Sequence, residues 1–194
     1  ASNTETLSQT WGEASREELL GKVYENVRAA CCIAGEAIEK EAPGRPVYIA
    51  GDIGPIPEHG SGEEEAGEQE ILEEYKTIAK AHLDAGVKLI WFETFSDFER
   101  ILPVAEWIRS VSDAFIMASF YVNVFGYTKT GLGMRELLKT AKESNLIDGI
   151  GFNCGIGPSH LGKLLKRQDL GNLIVAAVPN AGYADRIENR MVYR

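Results

Sequence analysis

Short apolar runs recur along the chain and predict five β-strands. The runs are apolar at successive positions rather than at alternate positions, and polar residues or glycine follow them. Strands that are apolar on both faces are typical of a parallel sheet buried under helices. The predicted strands are Val47–Ala50, Lys88–Phe92, Phe115–Ala118, Gly149–Phe152 and Leu173–Val178.

Between these runs, apolar residues recur at three- and four-residue steps and predict amphipathic helices. Ala85-Gly86 predicts the C-terminal cap of one helix, and Ser96 and Asp97 predict the N-terminal cap of the next. Alternating strands and helices predict an α/β fold with a parallel sheet. The apolar helical faces lie within residues 19–38, 71–83, 98–108, 137–141 and 161–165.

Two architectures have such a sheet, an open doubly wound sheet and a closed barrel. Polar or glycine-containing tips follow nearly every predicted strand, which is typical of the reactive end of a β/α barrel. A Rossmann sheet would instead have a Gly-x-Gly-x-x-Gly turn after its first strand, and this chain has none there. The pattern therefore predicts a (β/α)8 TIM-type barrel. The tips are Gly51-Asp52, Glu93-Thr94, Ser119, Asn153-Cys154 and Pro179-Asn180.

The strand count predicts an incomplete barrel. Five strands are predicted, and Asn3-Thr4 is interpreted as the tail of a sixth. A complete barrel has eight strands. We therefore expect residues 1–194 to form a single barrel domain that lacks the first and the last strand unit.

Charge and cysteine content restrict the class of protein. The formal net charge of −9 would repel a phosphate backbone, so we expect no nucleic-acid partner. The apolar runs are too short to cross a bilayer, and the N-terminus has no secretion signal. Three cysteines argue against a disulfide framework, so we expect a cytoplasmic protein.

Cys154 is the strongest candidate for chemistry. It directly follows an apolar strand and precedes a glycine-rich turn that leads into a helix. Exposure and a nearby helix N-terminus favour the thiolate form of a cysteine. From the residues alone, Cys154 is a candidate nucleophile or metal ligand, and the alternative is a small buried side chain without a chemical role.

Polar residues at the other strand ends are the next candidates. Glu93 follows four apolar residues, where a carboxylate needs a partner or a task. Asp52, Ser119 and Asn180 occupy similar positions, and each alone has the alternative role of capping a loop. No lysine lies at these tips, which argues against a Schiff-base enzyme.

The remaining histidines and cysteines are weaker candidates. We expect His59 and His82 to be solvated and His160 to lie on a helix surface. The Cys31-Cys32 pair falls within a predicted helix, with Cys31 on the apolar face, which favours packing over metal binding.

Several of these motifs together resemble the homocysteine S-methyltransferase family. They include Gly151-Phe152-Asn153-Cys154, Phe92-Glu93-Thr94-Phe95-Ser96-Asp97 and Pro179-Asn180-Ala181-Gly182. Ala50-Gly51-Asp52-Ile53-Gly54-Pro55 is also similar, although the family more often has a small residue where Asp52 stands. The resemblance extends over most of the chain in the expected order.

The resemblance implies zinc-dependent transfer of a methyl group to the thiol of homocysteine, giving methionine. Cys154 would be one of three cysteine ligands of the zinc ion. Glu93 would be a catalytic residue that holds the amino group of homocysteine, and Asn180 would lie beside the metal. We expect Asn153, Ser119 and Asp52 to complete the substrate site.

The chain departs from the family pattern at two places. It lacks the first strand with its Asp-Gly, and it lacks the Gly-Gly-Cys-Cys-Gly that supplies the other two zinc ligands. Two alternatives therefore stay open: a non-catalytic barrel remnant that binds a partner, and a metal-free barrel that binds a corrinoid or pterin through Asp52 and Asn180.

The sequence does not name the methyl donor. Members of the family use methylcobalamin, S-methylmethionine or betaine. The implied partners are homocysteine, this donor, and a cobalamin or folate domain or another chain that completes the barrel.

Overall fold

The computed structural model describes residues 3, 7, 14–41, 44–56, 67–181, 184–187 and 190–193. Helices and strands alternate along most of this part of the chain. The helices with described bounds are α1 (Arg16–Glu41), α2 (Glu68–Asp84), α3 (Ile101–Val111), α4 (Met134–Ser144) and α5 (Pro158–Leu165). The strands are β1 (Ala50–Ile53), β2 (Leu89–Phe95), β3 (Phe115–Tyr121), β4 (Gly149–Asn153), β5 (Ile174–Val178), β6 (Ala184–Ile187) and β7 (Arg190–Tyr193).

The order of strands in the main sheet distinguishes the two predicted architectures. Among the described residues, five strands form one sheet in the order β1-β2-β3-β4-β5, which is their order in the chain. A doubly wound sheet reverses its strand order at a switch point, whereas a barrel adds strands in sequence. The predicted α/β fold of the TIM-barrel type, incomplete in this chain, is therefore confirmed.

One of the predicted strands is misplaced. The first strand is Ala50–Ile53 rather than Val47–Ala50, because Gly51 and Ile53 are buried in it whereas Val47 and Tyr48 are exposed. Asn3 is not in a strand, and Thr4 lies outside the described residues, so a sixth parallel strand is not seen there. β6 and β7, which were not predicted, form a separate antiparallel pair.

The chain divides into two compact units. Unit 1 comprises residues 1–91 and 103–115, and unit 2 comprises residues 92–102 and 116–194. In unit 1, α1 packs against α2. Leu19, Val23, Val27 and Cys31 are buried at four-residue steps along α1, which confirms the predicted apolar face.

Helix ends follow local sequence signals. At the start of α1, the Ser15 hydroxyl accepts a hydrogen bond from the Glu18 backbone N–H (3.3 Å), and the Glu18 carboxylate accepts one from the Ser15 N–H (2.8 Å). This reciprocal pair is a capping box. Gly86, at φ +80°, lies in the predicted C-cap of α2. By contrast, α3 begins at Ile101, later than Ser96 and Asp97 predict.

In unit 2, β3, β4 and β5 pair in parallel, with Ser119 opposite Gly151. Their core contains the rings of Phe98 and Phe120, whose centroids are 4.7 Å apart. β5 lies at one edge of the described sheet, and its Ile174 and Val178 are exposed at 56% and 43%. None of the helices in the described part of the chain is long and apolar enough to cross a membrane.

Candidate functional site

Cys154 lies immediately after β4, where the chain turns sharply away from the sheet. Its side chain is exposed, as predicted, and its backbone has φ +56°, a left-handed conformation that non-glycine residues seldom adopt. Gly155 follows at φ +67°, and a Cβ there would lie 2.3 Å from the Val122 carbonyl oxygen. Only glycine therefore fits after Cys154. The Cys154 N–H donates to the Val178 carbonyl oxygen (3.1 Å), which ties the turn to β5.

Asn153 connects this turn to the neighbouring strands. Its side chain is 1% exposed. Oδ1 accepts hydrogen bonds from the Ser119 hydroxyl (2.7 Å) and the Thr94 backbone N–H (3.2 Å). Nδ2 donates to Thr94 Oγ1 (2.6 Å) and to Cys154 Sγ (3.3 Å). One amide thus joins residues of β2 and β3 to the sulfur of Cys154.

Thr94 also belongs to this candidate site, and its position in the sequence did not identify it by itself. It lies within β2 at φ +67°, and a left-handed conformation is a genuine outlier for a β-branched side chain. Such strain is stored where surrounding contacts determine the conformation, and functional sites are common places for it. The sequence signal was its place in the Phe92-Glu93-Thr94 motif, but only the structure shows its two bonds to Asn153.

The other predicted site residues of unit 2 lie on β2, on β3 and in the loop after β5. Glu93 precedes Thr94 in β2 and is half-buried. The Asn180 backbone N–H donates to the Ile156 carbonyl oxygen (3.0 Å), which places the loop after β5 against the turn after Cys154. Glu93 and Ser119 are not at strand ends as predicted, because β2 continues to Phe95 and β3 to Tyr121.

Asp52 belongs to unit 1 and lies inside β1 rather than after it, so its predicted position at a strand end is wrong. Its side chain reaches the surface, but partial burial raises the pKa of the carboxyl, and the nearby His82 opposes that shift. It lines a cavity of about 300 Å³ whose wall includes Ile53, Ile78, Cys31 and His82.

His82 is buried, which corrects the expectation that it is solvated. Its Nδ1 lies 3.4 Å from Cys31 Sγ, and its Nε2 lies 3.3 Å from the Asp52 carbonyl oxygen. Burial lowers the pKa of His82, and burial also raises the pKa of the Cys31 thiol. A Cβ at Gly51 would lie 2.7 Å from the His82 ring, so the ring packs directly on the backbone of β1.

The other weak candidates agree with their expected roles where they are described. Cys31 is buried and Cys32 is exposed within α1, as the helical spacing predicts. His160 is exposed on α5. His59 lies outside the described residues.

The family resemblance implies a zinc site with three cysteine ligands, of which this chain would supply Cys154. Within the residues that the structure describes, no group of three or more histidine, cysteine, aspartate or glutamate side chains could hold a metal ion. Catalytic zinc sites have three protein ligands. Cys154 offers one soft donor at an exposed position, so these residues do not make a zinc site by themselves.

Solved structures with a similar fold include two forms of the homocysteine methyltransferase MmuM from Escherichia coli. The apo form has a TM-score of 0.62 at 21% identity, and the match covers 88% of this chain and 63% of that one. The metallated form has a TM-score of 0.65 at 18% identity and covers 94% and 64%, respectively. The chain thus spans less than two thirds of the length of these proteins.

No curated protein matches the chain. A family model described as homocysteine S-methyltransferase, however, matches residues 2–194. This match confirms the resemblance that the strand-end motifs predicted. Together with the exposed cysteine that β4 presents beside Asn153, it shows that the chain belongs to the homocysteine S-methyltransferase family.

Proposed function

We propose that the chain is part of an enzyme that transfers a methyl group to the thiol sulfur of homocysteine and so forms methionine. Membership of the family supports the reaction class. The single observation that carries the proposal for this chain is the position of Cys154. Its thiol is exposed directly after β4, which pairs in parallel with a strand on each side, and a buried amide bonds to its sulfur.

The proposal assigns Cys154 as one ligand of the zinc expected in the complete domain. The chain has only two other cysteines, and both lie on α1 of unit 1. The remaining donors would therefore come from sequence outside this chain or from another chain that completes the barrel. The metallated form of MmuM from Escherichia coli, a structure of similar fold, supports this assignment.

Glu93 is proposed to bind the ammonium group of homocysteine. Its carboxylate carries the opposite charge, and it is half-buried, where a charge pair is screened less than on an open surface. Its neighbour Thr94 is fixed through both its N–H and its hydroxyl by Asn153. Asn180 and Asp52 remain proposed substrate contacts.

The methyl donor is left among methylcobalamin, S-methylmethionine and betaine. Because the chain spans less than two thirds of MmuM, the activity, the donor and any cobalamin or folate domain are proposals about the whole protein. A cytoplasmic location is likewise proposed from the free cysteines.

The test compares Cys154→Ser with Cys32→Ser, an exposed thiol on α1 that the proposal does not use. Both variants are made in the chain and in the longest reading frame that contains it. Methyl transfer to homocysteine is measured with each of the three donors, and bound zinc is measured by mass spectrometry.

We expect zinc and activity in the longer protein, a loss of at least about 100-fold in both for Cys154→Ser, and wild-type values for Cys32→Ser. Full activity of Cys154→Ser would contradict the proposal.

A second candidate is a non-catalytic barrel remnant that binds a partner. The incomplete donor set among the described residues favours it. The same experiment separates the two candidates. A longest reading frame that binds no zinc and transfers no methyl group with any donor would support the remnant and contradict the enzyme.

A further inference from the structure

We propose that Asn153, Ser119 and Thr94 do not contact the substrate but form a positioning network that orients the sulfur of Cys154. This inference deepens the proposed function and rests on it, because that proposal assigns the Cys154 sulfur as a zinc ligand. It also replaces the expectation that Asn153 and Ser119 bind substrate.

The partners of Asn153 within the fold use the hydrogen-bonding capacity of its side-chain amide. An amide has two acceptor lone pairs on oxygen and two N–H donors. Ser119 and Thr94 occupy the two acceptor positions, and Thr94 and Cys154 occupy the two donors. The group is also buried. A substrate could bond to Asn153 only by displacing one of these partners.

Ser119 is 0% exposed. Its hydroxyl donates to Asn153 Oδ1 at 2.7 Å. It lies opposite Gly151 in the β3–β4 register, and a Cβ at Gly151 would lie 2.6 Å from the Ser119 hydroxyl oxygen. The glycine therefore leaves the space that this hydroxyl occupies, and the serine supports the amide from β3.

The backbone conformation of Thr94 determines the orientation of the Asn153 amide. At φ +67° its N–H and its Oγ1 both meet the Asn153 side chain, one as donor and the other as acceptor. These two bonds determine which end of the amide is oxygen and which is nitrogen. The nitrogen end then faces Cys154, so the left-handed backbone of Thr94 selects the N–H···S contact.

The consequence is a fixed direction for a sulfur that is otherwise exposed. The Cys154 backbone is held by Val178, and its sulfur accepts from Asn153 at 3.3 Å. An exposed thiol without such a donor would sample its staggered rotamers. Thr94 thus acts on Cys154 through Asn153, as a positioning residue.

The experiment uses four variants of the chain. Thr94→Val removes the acceptor, Thr94→Ser keeps it, and Asn153→Asp keeps acceptors for Ser119 and for the Thr94 N–H but has no N–H for the sulfur. Thr77→Val is the matched control, because it removes the hydroxyl that donates to the Glu73 carbonyl oxygen in α2.

The readouts are the iodoacetamide alkylation rate of Cys154, resolved by mass spectrometry, the Cys154 side-chain rotamer by NMR couplings, and the thermal unfolding midpoint. We expect Thr94→Val and Asn153→Asp to lower the Cys154 rate about fivefold or more and to average the rotamer, as loss of one net hydrogen bond implies. Thr94→Ser and Thr77→Val should keep the wild-type rate.

An unchanged Cys154 rate and rotamer in folded Thr94→Val and Asn153→Asp would overturn the network. So would a loss of homocysteine binding in Asn153→Asp with unchanged alkylation, because that result would mark a substrate contact. If a variant does not fold, Ser119→Ala removes one support of Asn153 without altering Thr94 or Cys154. Alkylation needs neither metal nor methyl donor, so its failure is distinguishable from failure of the proposed function.

Discussion

Two cysteines of this chain lie at nearly the same distance from a nitrogen-bearing side chain, yet their surroundings differ. Cys31 Sγ is 3.4 Å from His82 Nδ1 inside unit 1, and Cys154 Sγ is 3.3 Å from Asn153 Nδ2 in unit 2. Cys31 is buried in a helix, whereas Cys154 is exposed in a left-handed turn. A close polar partner therefore does not by itself distinguish the exposed cysteine from the buried one.

The difference lies in the backbone and in access. α1 places Cys31 on its apolar face, and burial there raises the pKa of the thiol, which disfavours the reactive thiolate. The turn after β4 instead lifts Cys154 off the sheet at the end of a buried strand. A pair that could be mistaken for a catalytic Cys–His dyad is, in unit 1, a packed polar contact.

The largest expected difference between Cys154 and Cys31 is in the rate at which their thiols are alkylated. Under native conditions we expect iodoacetamide to alkylate Cys154 at least roughly 100-fold faster than Cys31, because Cys31 reacts only after local opening. The rates are measured per cysteine by mass spectrometry. Cys32, exposed on the same helix, is the control and should react without such protection. Equal alkylation rates for Cys31 and Cys32 would contradict the expectation that burial protects Cys31.

The next largest effect is on the free energy of unfolding, when one glycine of unit 2 and one glycine of unit 1 are each replaced by alanine. We expect Gly155→Ala to lower the free energy of unfolding by about 3–4 kcal/mol, since it combines positive φ with a clash against a backbone oxygen. Gly51→Ala should lower it by about 1–3 kcal/mol, because the His82 ring can shift. Urea unfolding measures both.

Gly35→Ala is the matched control for the glycine pair, since it lies within α1 and its added Cβ has no described atom within 4 Å apart from its own helix backbone. It should leave stability unchanged or raise it slightly. A Gly51→Ala variant less stable than Gly155→Ala would contradict the expectation that the turn after β4 tolerates an added Cβ less well than β1 does.

The smallest effect is a pH dependence confined to unit 1. The folded state lowers the pKa of His82, mainly by burial, so the unfolded state binds this proton more readily. The stability linked to His82 is therefore complete above the ordinary value of 6.5 and is lost as the pH falls from there through the lower pKa of the folded state. Cys31 and Asp52 face this histidine.

The measurement is the stability difference between the wild type and His82→Gln from pH 8 to 5. We expect the advantage of the wild type to shrink on acidification by less than the effect of Gly155→Ala. A wild-type advantage that grows on acidification would contradict the direction assigned to His82.

Sequence patterns predicted the fold well where many residues contribute to one signal. Five apolar runs and the intervening helical periods predicted a parallel α/β sheet, and four of the five strands lie where they were expected. The first strand was misplaced because Val47 and Tyr48 are apolar but exposed. Apolar character along a run does not say which residues find a partner in the sheet.

The candidate site was predictable one residue at a time but not as a network. Cys154 was identified from its place after a strand, and its exposure is confirmed. The contact of Thr94 with Asn153 joins residues 59 apart in the chain, and no spacing rule reports such a distance. The burial of His82 depends on packing against β1 and α1, which its helical position alone does not reveal.

The exposed outer strand β5 has a practical consequence for handling the chain. Within the part of the chain that the structure describes, β5 is an edge strand with Ile174 and Val178 exposed, and such edges are templates for intermolecular pairing and aggregation. The net charge of −9 keeps molecules apart by mutual repulsion, and added salt screens that repulsion. Colloidal stability of the purified chain should therefore be best in dilute buffer and decline as ionic strength rises.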